Sequence, residues 1–171
     1  MKAIEIKTNE YAPYYGTYIS KAPDMDIIEG LRQNGKLIKE ALESLPEDKW
    51  DHSYAPGKWT IKELVHHIID TERIFSYRAL RFGRGDTTDL PGFDQDDFVS
   101  GANSNSRTSV SLIAEYKAVR ESTICLFESF SQDDLLRIGI ASGSPMSVRA
   151  LGFVIVGHET HHLNILNERY L

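Results

Sequence analysis

Apolar positions recur along this chain at the three-to-four spacing of an amphipathic helix in four long stretches. No two-residue alternation of comparable length competes with them. The first stretch, residues 26–45, carries Ile27, Ile28, Leu31, Leu37, Ile38, Ala41, Leu42 and Leu45 and stops at Pro46. Gly30 and Gly35 lie inside it and lower its intrinsic helicity. The second has the clearest start, a Pro56-Gly57 turn followed by the capping-box pattern Thr60-Ile61-Lys62-Glu63. Its stripe of Ile61, Leu64, Val65, Ile68, Phe75, Ala79 and Phe82 predicts a helix over 61–82 that ends at Gly83 or Gly85. Polar, irregular chain is expected over 85–107, a length that often marks a functional loop, and here one able to shape a pocket. A third helix is predicted over 109–130, followed by a short capped turn at Ser131-Gln132-Asp133-Asp134. After the break at Ser142-Gly143-Ser144-Pro145, Ser147 caps a fourth helix that runs from Val148 almost to the last residue.

Four helices of about 20 residues, joined partly by long connections, predict an all-α fold, a four-helix bundle with long crossover loops. Residues 1–171 are expected to form one domain, with no internal repeat or linker to divide them. Within it, residues 1–22, which include Tyr11, Tyr14, Tyr15 and Tyr18, are expected to pack across the outside as an extension.

Composition narrows the function more than the fold. Of 171 residues, 41% are apolar and 26% charged, which suits a folded domain rather than a disordered chain. Nineteen basic against twenty-five acidic residues leave a net charge of −6, which disfavours a nucleic-acid partner. The single cysteine, Cys125, excludes an internal disulfide and a multi-cysteine zinc site, and its mid-helix position suggests an inert core thiol. No apolar run reaches the roughly 18 residues of a membrane span, and the first residues lack the apolar core of a signal peptide. The expectation is a cytoplasmic protein with a small-molecule substrate and neither membrane nor nucleic acid as partner; a homodimer is left open.

Five of the six histidines fall in two clusters, and helical phase separates them. On the fourth helix, His158 and His162 lie within about 20° of the centre of the apolar stripe, and His161 roughly 80° to one side. Two histidines aimed into a core are costly unless each finds a partner, and one metal ion satisfies both. On the second helix His67 lies about 110° off the stripe, on the side of Leu64, Thr71 and Arg78, whereas His66 lies about 150° off on the other side. His67 is therefore the better third ligand, and His66 and His161 are expected to face solvent or support the site from behind. His52, in a loop, is expected to be incidental. Three nitrogens from two helices describe an open site, suited to zinc or nickel alike.

Two motifs compete for these residues. His158-Glu159-Thr160-His161-His162 fits the H-E-x-x-H pattern of zinc proteases, but too little chain follows for their third ligand, and no edge strand is available for a peptide. The local chemistry survives, with Glu159 as the candidate general base. The Glu-x-x-His pairs Glu63/His66 and Glu159/His162 match a di-iron signature, but Glu63 and His66 project away from the stripe. Glu72 sits near the centre of its stripe, and an acid there calls for a buried partner among Arg78, Arg81 and Arg120, or for a supporting role at the site. Arg169 shares the histidines' azimuth and is placed to meet an anion or to reach outward.

With these residues in view, the chain resembles the DinB/YfiT-like metalloenzyme superfamily over essentially its whole length. The stretch from Ala55 through Trp59, Glu63 and His67 to Arg73 looks like the first histidine block. Arg78-Ala79-Leu80-Arg81, Gly85-Asp86 and Leu90-Pro91-Gly92-Phe93 look like one subfamily's extension of it, and Gly157-His158-Glu159-Thr160-His161-His162 looks like the terminal block. The resemblance implies a four-helix bundle holding a divalent metal through His67, His158 and His162. Members include thiol S-transferases that use bacillithiol or mycothiol, and a mycothiol-dependent maleylpyruvate isomerase. The expectation is thus metal-dependent transfer of a low-molecular-weight thiol to an electrophile, in a stress response. Hydrolysis by water on the ion, or a non-catalytic metal-binding bundle, are the alternatives.

Overall fold

In the computed structural model, which describes residues 2–171, every long helix begins where a polar residue in extended backbone accepts a bond from a free N–H of the first turn. Asp26 caps α2 (Ile27–Ser44) by accepting from the Glu29 N–H, and Thr60 and Glu63 form the full capping box of α3 (Ile61–Gly83). Thr108 caps α5 (Ser109–Glu128), and Ser147 caps α7 (Val148–Ile165). Three short helices accompany them: α1 (Gly16–Ile19), α4 (Gln95–Gly101) and α6 (Gln132–Leu136).

The long helices form a four-helix bundle. α3 packs on α5 and α7, and α2 packs on the same two, so α2 and α3, consecutive in the chain, lie diagonally opposite. The crossover between them and the one after α3 are the predicted long connections. The second is more structured than its polar composition suggests. Asp94 accepts from the Asp96 and Asp97 N–H groups to start α4, and a 3-10 turn at Ser104–Ser106 follows. A two-stranded hairpin, β1 (Ile138–Ala141) and β2 (Ser144–Ser147), also interrupts the all-α pattern. Its loop residues Ser142 and Gly143 both have positive φ, as a type I′ turn requires. Four-residue strands are too short for their alternation to register in the sequence.

The core falls into two apolar clusters, one containing Leu31, Phe75, Phe82, Phe127 and Leu151, the other Ile38, Leu64, Ile69, Leu112 and Leu166. Between them on each helix lies a buried polar residue: Asn34 on α2, Glu72 on α3, Arg120 on α5 and Glu159 on α7. A polar layer thus crosses the bundle at mid-height, and the three candidate ligands flank it.

Four expectations need correction. Cys125 is exposed, because α5 presents it opposite the face carried by Thr123, Ile124 and Phe127. His66 is buried rather than solvent-facing, because the Ser104–Ser106 turn folds over it and its Nδ1 lies 2.9 Å from Ser104 Oγ. Arg169 is exposed and off the histidine azimuth, because the chain widens into a π turn at Leu166–Tyr170. That turn buries Leu166 and Tyr170 instead, and the Tyr170 hydroxyl donates to the Trp59 carbonyl at 2.7 Å. The third helix stops at Glu128, two residues before Phe130.

Residues 2–22 lie along α7 and are fastened at two points. The carboxylate of buried Glu10 accepts from Arg149 Nε at 2.7 Å and from Ser147 Oγ at 2.8 Å, while the same Ser147 oxygen caps α7. Further along, a Cβ on Gly157 would lie 1.8 Å from the Tyr18 carbonyl oxygen, so only glycine admits this approach. Burial alone would raise the Glu10 carboxyl, but Arg149, the Lys7 N–H and Ser147 outweigh it and hold it at about 2, against an ordinary 4.5. A carboxyl depressed by folding stabilises fully above its unfolded pKa and loses that contribution as pH falls toward the folded one. Glu10→Gln should therefore lower the urea midpoint at neutral pH. It should also flatten the acid dependence between about pH 4.5 and 2 relative to the wild type.

Candidate metal centre

α3 contributes His67, and α7 contributes His158 and His162 one turn apart, all three buried. Among the described residues they form a group whose ligand atoms lie within 4.8 Å of one another. His158 Nε2 is 3.1 Å from His67 Nε2 and 3.1 Å from His162 Nε2. Donors at 2.0–2.1 Å from a tetrahedral zinc are separated by about 3.3 Å, close to these spacings. Protons alone cannot satisfy the cluster. A neutral imidazole Nε2 offers one hydrogen or one in-plane lone pair, so His158 can serve only one of its two neighbours. A cation at the common focus serves all three, and the donor set therefore fits a divalent ion.

The surroundings keep the donors neutral and aimed. Burial lowers the His67 pKa to about 4, and burial together with the neighbouring histidines pushes His158 and His162 well below the ordinary value. Thr71 Oγ1, one turn along α3, sits 3.5 Å from His67 Nδ1, which leaves Nε2 facing the cluster. His162 Nδ1 is buried with no hydrogen-bond partner, so this ring is held by packing and by what its Nε2 meets. Trp59 tilts against His67 with ring centroids 4.8 Å apart, and Tyr18 meets His158 edge-on at 5.1 Å.

Two cavities open onto the cluster. One of about 420 Å³ reaches His162 and is lined by Lys58, Trp59, Asp96 and His161. The other, about 290 Å³, reaches His67 and His158 and is walled by Tyr15, Phe75 and Phe93. Tyr14, Tyr18 and Gln95 line both and stand at their junction. The loop after α3 does shape the pocket, through Phe93 to Asp96. The N-terminal tyrosines were not expected there, and Gly157, immediately before His158, was the sequence signal for something crossing close to α7.

Behind the histidines, the polar layer is a closed network. Arg120 donates to both oxygens of Glu72, at 2.9 and 2.8 Å, to Glu159 Oε2 at 2.8 Å and to the Leu31 carbonyl at 2.9 Å. The Tyr116 hydroxyl donates to the other Glu159 oxygen. Of the three arginines considered for Glu72, Arg120 is the partner. Arg81 pairs with Asp86, and Arg78 donates to the Pro91 carbonyl and to Ser142 Oγ. Burial opposes the charge on Arg120, but Glu159 and Glu72 more than offset this and hold its pKa well above normal. Burial raises the Glu159 carboxyl; Arg120 works against this and Glu72 adds to it. Glu159, the candidate base, is 1% exposed, has both oxygens engaged on this side and lines neither open cavity.

A model of the DinB superfamily matches residues 31–166. The chain belongs to this family. Two curated proteins, both named "putative metal-dependent hydrolase", resemble it. The one from Oceanobacillus iheyensis is 27% identical over 143 residues, 81% of this chain and 82% of its own length. The one from Bacillus licheniformis is 22% identical over 138 residues, 80% of this chain and 78% of its own length. Among solved structures, YfiT from Bacillus subtilis superposes with a TM-score of 0.75 at 18% identity, covering 83% of this chain and 82% of YfiT. YfiT is described as a probable metal-dependent hydrolase with an unusual four-helix bundle topology. The colibactin self-resistance protein ClbS, solved with a double-stranded DNA, superposes with a TM-score of 0.60 at 18% identity, covering 83% of this chain and 94% of ClbS. At these identities the structural likeness speaks for the fold. Among the described residues no helix is long and apolar enough to cross a membrane.

The network carries a test of its own. Arg120→Leu removes the cation from between two buried carboxylates and should destabilise the fold by roughly 3–5 kcal/mol. Chemical denaturation of the purified variant measures this.

Proposed function

We propose that the chain is a metal-dependent hydrolase of a small-molecule substrate, with His67, His158 and His162 as its metal ligands. The observation that carries this reading is the convergence of three neutral Nε2 atoms where two cavities meet. A divalent ion bound there supplies Lewis acidity, lowering the pKa of a coordinated water or thiol. Zinc and nickel both suit the all-nitrogen donor set. The names of the two curated relatives favour hydrolysis over the thiol transfer expected from the sequence.

The chain's own residues divide the remaining work. Thr71 orients His67, and the rings of Trp59, Tyr18 and Phe75 exclude water from the ligands' flanks. Glu159 takes a positioning role in place of the base role, because its bonds to Arg120 and Tyr116 fix the rotation of α7 beside His158. Glu72 holds Arg120 for the same purpose.

Elemental analysis of protein purified without a nickel column should find one zinc or nickel per chain. His67→Ala and His162→Ala should abolish this stoichiometric metal while the apo bundle still folds. His66→Ala should retain it, since His66 bonds to Ser104 and not to the cluster. Loss of metal in His66→Ala but not in His67→Ala would reassign the first ligand.

The reaction class is read separately. Metal-loaded protein should hydrolyse 4-nitrophenyl acetate at a rate that His67→Ala abolishes. A metal-dependent adduct between a low-molecular-weight thiol and monochlorobimane, without ester hydrolysis, would establish thiol transfer instead. Neither product would leave a non-catalytic metal-binding bundle.

A further inference from the structure

We propose that the N-terminal segment supplies the substrate-selecting wall of this site. Tyr14 and Tyr18, paired through their hydroxyls, provide one hydroxyl donor beside the histidine cluster, and Tyr15, Phe75 and Phe93 form a seat for a ring. The substrate class is accordingly a ring-bearing small molecule with a hydrogen-bond acceptor next to its reacting end. The inference rests on the three-histidine metal reading and goes beyond it.

Three observations carry it. First, Tyr14 and Tyr18 line both cavities, and their hydroxyls lie 3.0 Å apart. One hydroxyl proton serves that bond, which leaves the other for a third acceptor at the junction. The Tyr18 ring meets both His158 and His161, so the hydroxyl pair stands beside α7.

Second, the segment is built into place rather than laid on loosely. Glu10 is clamped by Arg149 and Ser147 before the tyrosines. At Tyr18 the backbone touches α7 at Gly157, where no side chain fits. A wall fixed at both ends can hold a donor at a constant distance from the cluster.

Third, the smaller cavity has aromatic faces with defined orientations. Tyr15 and Phe75 meet edge-to-face with centroids 5.9 Å apart. Phe93 lines the same cavity and is held there by Arg78, which lies 6.0 Å from its ring centroid and donates to the Pro91 carbonyl two residues earlier at 2.8 Å. Fixed rings presenting faces and edges favour a second ring over an aliphatic chain. Tyr14, Tyr15 and Tyr18 lie outside residues 31–166, the part matched by the family model, whereas Phe75 and Phe93 lie within it.

The test uses cobalt(II) as a coloured metal and two hydroxamates as probes that differ only in a ring. Full-length protein stripped of metal is reloaded with cobalt(II). Its visible spectrum is then titrated with acetohydroxamate and with benzohydroxamate. Wild type should prefer benzohydroxamate. Tyr18→Phe should weaken both probes roughly three- to tenfold, the loss of one hydrogen bond, while cobalt affinity stays unchanged. Tyr14→Phe should shift both in the same direction. Phe93→Ala should reduce the preference for benzohydroxamate roughly two- to tenfold. Unchanged hydroxamate binding in Tyr18→Phe, or a wild type without preference for the ring, would overturn the proposal and leave the metal reading intact. Loss of cobalt in Tyr18→Phe would also overturn it, by showing that the segment only supports the ligands. Wild type that takes up no cobalt would overturn the metal reading and this inference together.

Discussion

A single guanidinium, that of Arg120, joins the four long helices at the middle of the bundle. Carried on α5, it bonds to a carbonyl of α2, a carboxylate of α3 and a carboxylate of α7. Gly35 makes room for it on α2, since a Cβ there would lie 3.1 Å from Arg120 Cγ. A glycine that weakens the helix locally thus leaves room for the central contact. Charges this deeply buried are tolerable only when paired, so any shift of one helix along another would strand a charge in hydrocarbon. Apolar side chains can slide past one another at modest cost, whereas this layer admits one register.

The candidate metal centre inherits its geometry from that register. Successive residues of α7 differ by about 100° in direction, so fixing Glu159 toward Arg120 also fixes His158 and His162 toward α3. On α3, Glu72 and His67 are five residues apart, a little more than one turn, and the same contact sets the ring that faces α7. Asn34 adds a second hold on α7, donating to the Val156 carbonyl and to Thr160 Oγ1 on either side of His158. The result separates two electrostatic tasks within a few residues. The layer gathers its charges around one cation, Arg120 between Glu72 and Glu159, while the adjoining histidines have no carboxylate among them. A divalent ion held there would keep its full positive charge, which is the property that most strongly acidifies a coordinated group.

The parts of this arrangement that were legible in the sequence are those set by local chemistry. The caps Thr60 and Ser147 act on N–H groups three residues away, and the apolar stripes fix which face of each helix turns inward. His158 and His162 stood out because two polar residues occupied the centre of one stripe. What was missed depends on neighbours that a single helix does not reveal. Cys125 is exposed and His66 covered because other segments determine what lies over a flank. Arg169 turned away because a π turn interrupted the assumed 100° step. Arg120 was one of three candidate partners for Glu72, and only the packing of α2 and α7 shows it as the hub. Tyr116 and Asn34 carried no signal of their own, since each is an ordinary helix residue until the layer it completes is known.

The division between the candidate donors and the cavity walls around them follows from the same physics. His67, His158 and His162 sit on long helices locked by the polar layer, which is the rigidity that a donor set needs. The cavity walls come largely from Phe93 to Asp96, in a crossover, and from Tyr14 to Tyr18, in the N-terminal segment, both outside the four long helices. They are nevertheless tied to the ligand helix at close range. Ser147 both caps α7 and bonds to Glu10, and Gly157 accepts the Tyr18 backbone one residue before His158. A side chain at 157 would have to push the wall outward or rotate α7, and rotation is opposed by the Arg120–Glu159 contact two residues away. The wall is therefore the softer of the two. On the proposed reading, a change in these covering segments alters what meets the ion while the three nitrogens stay where they are.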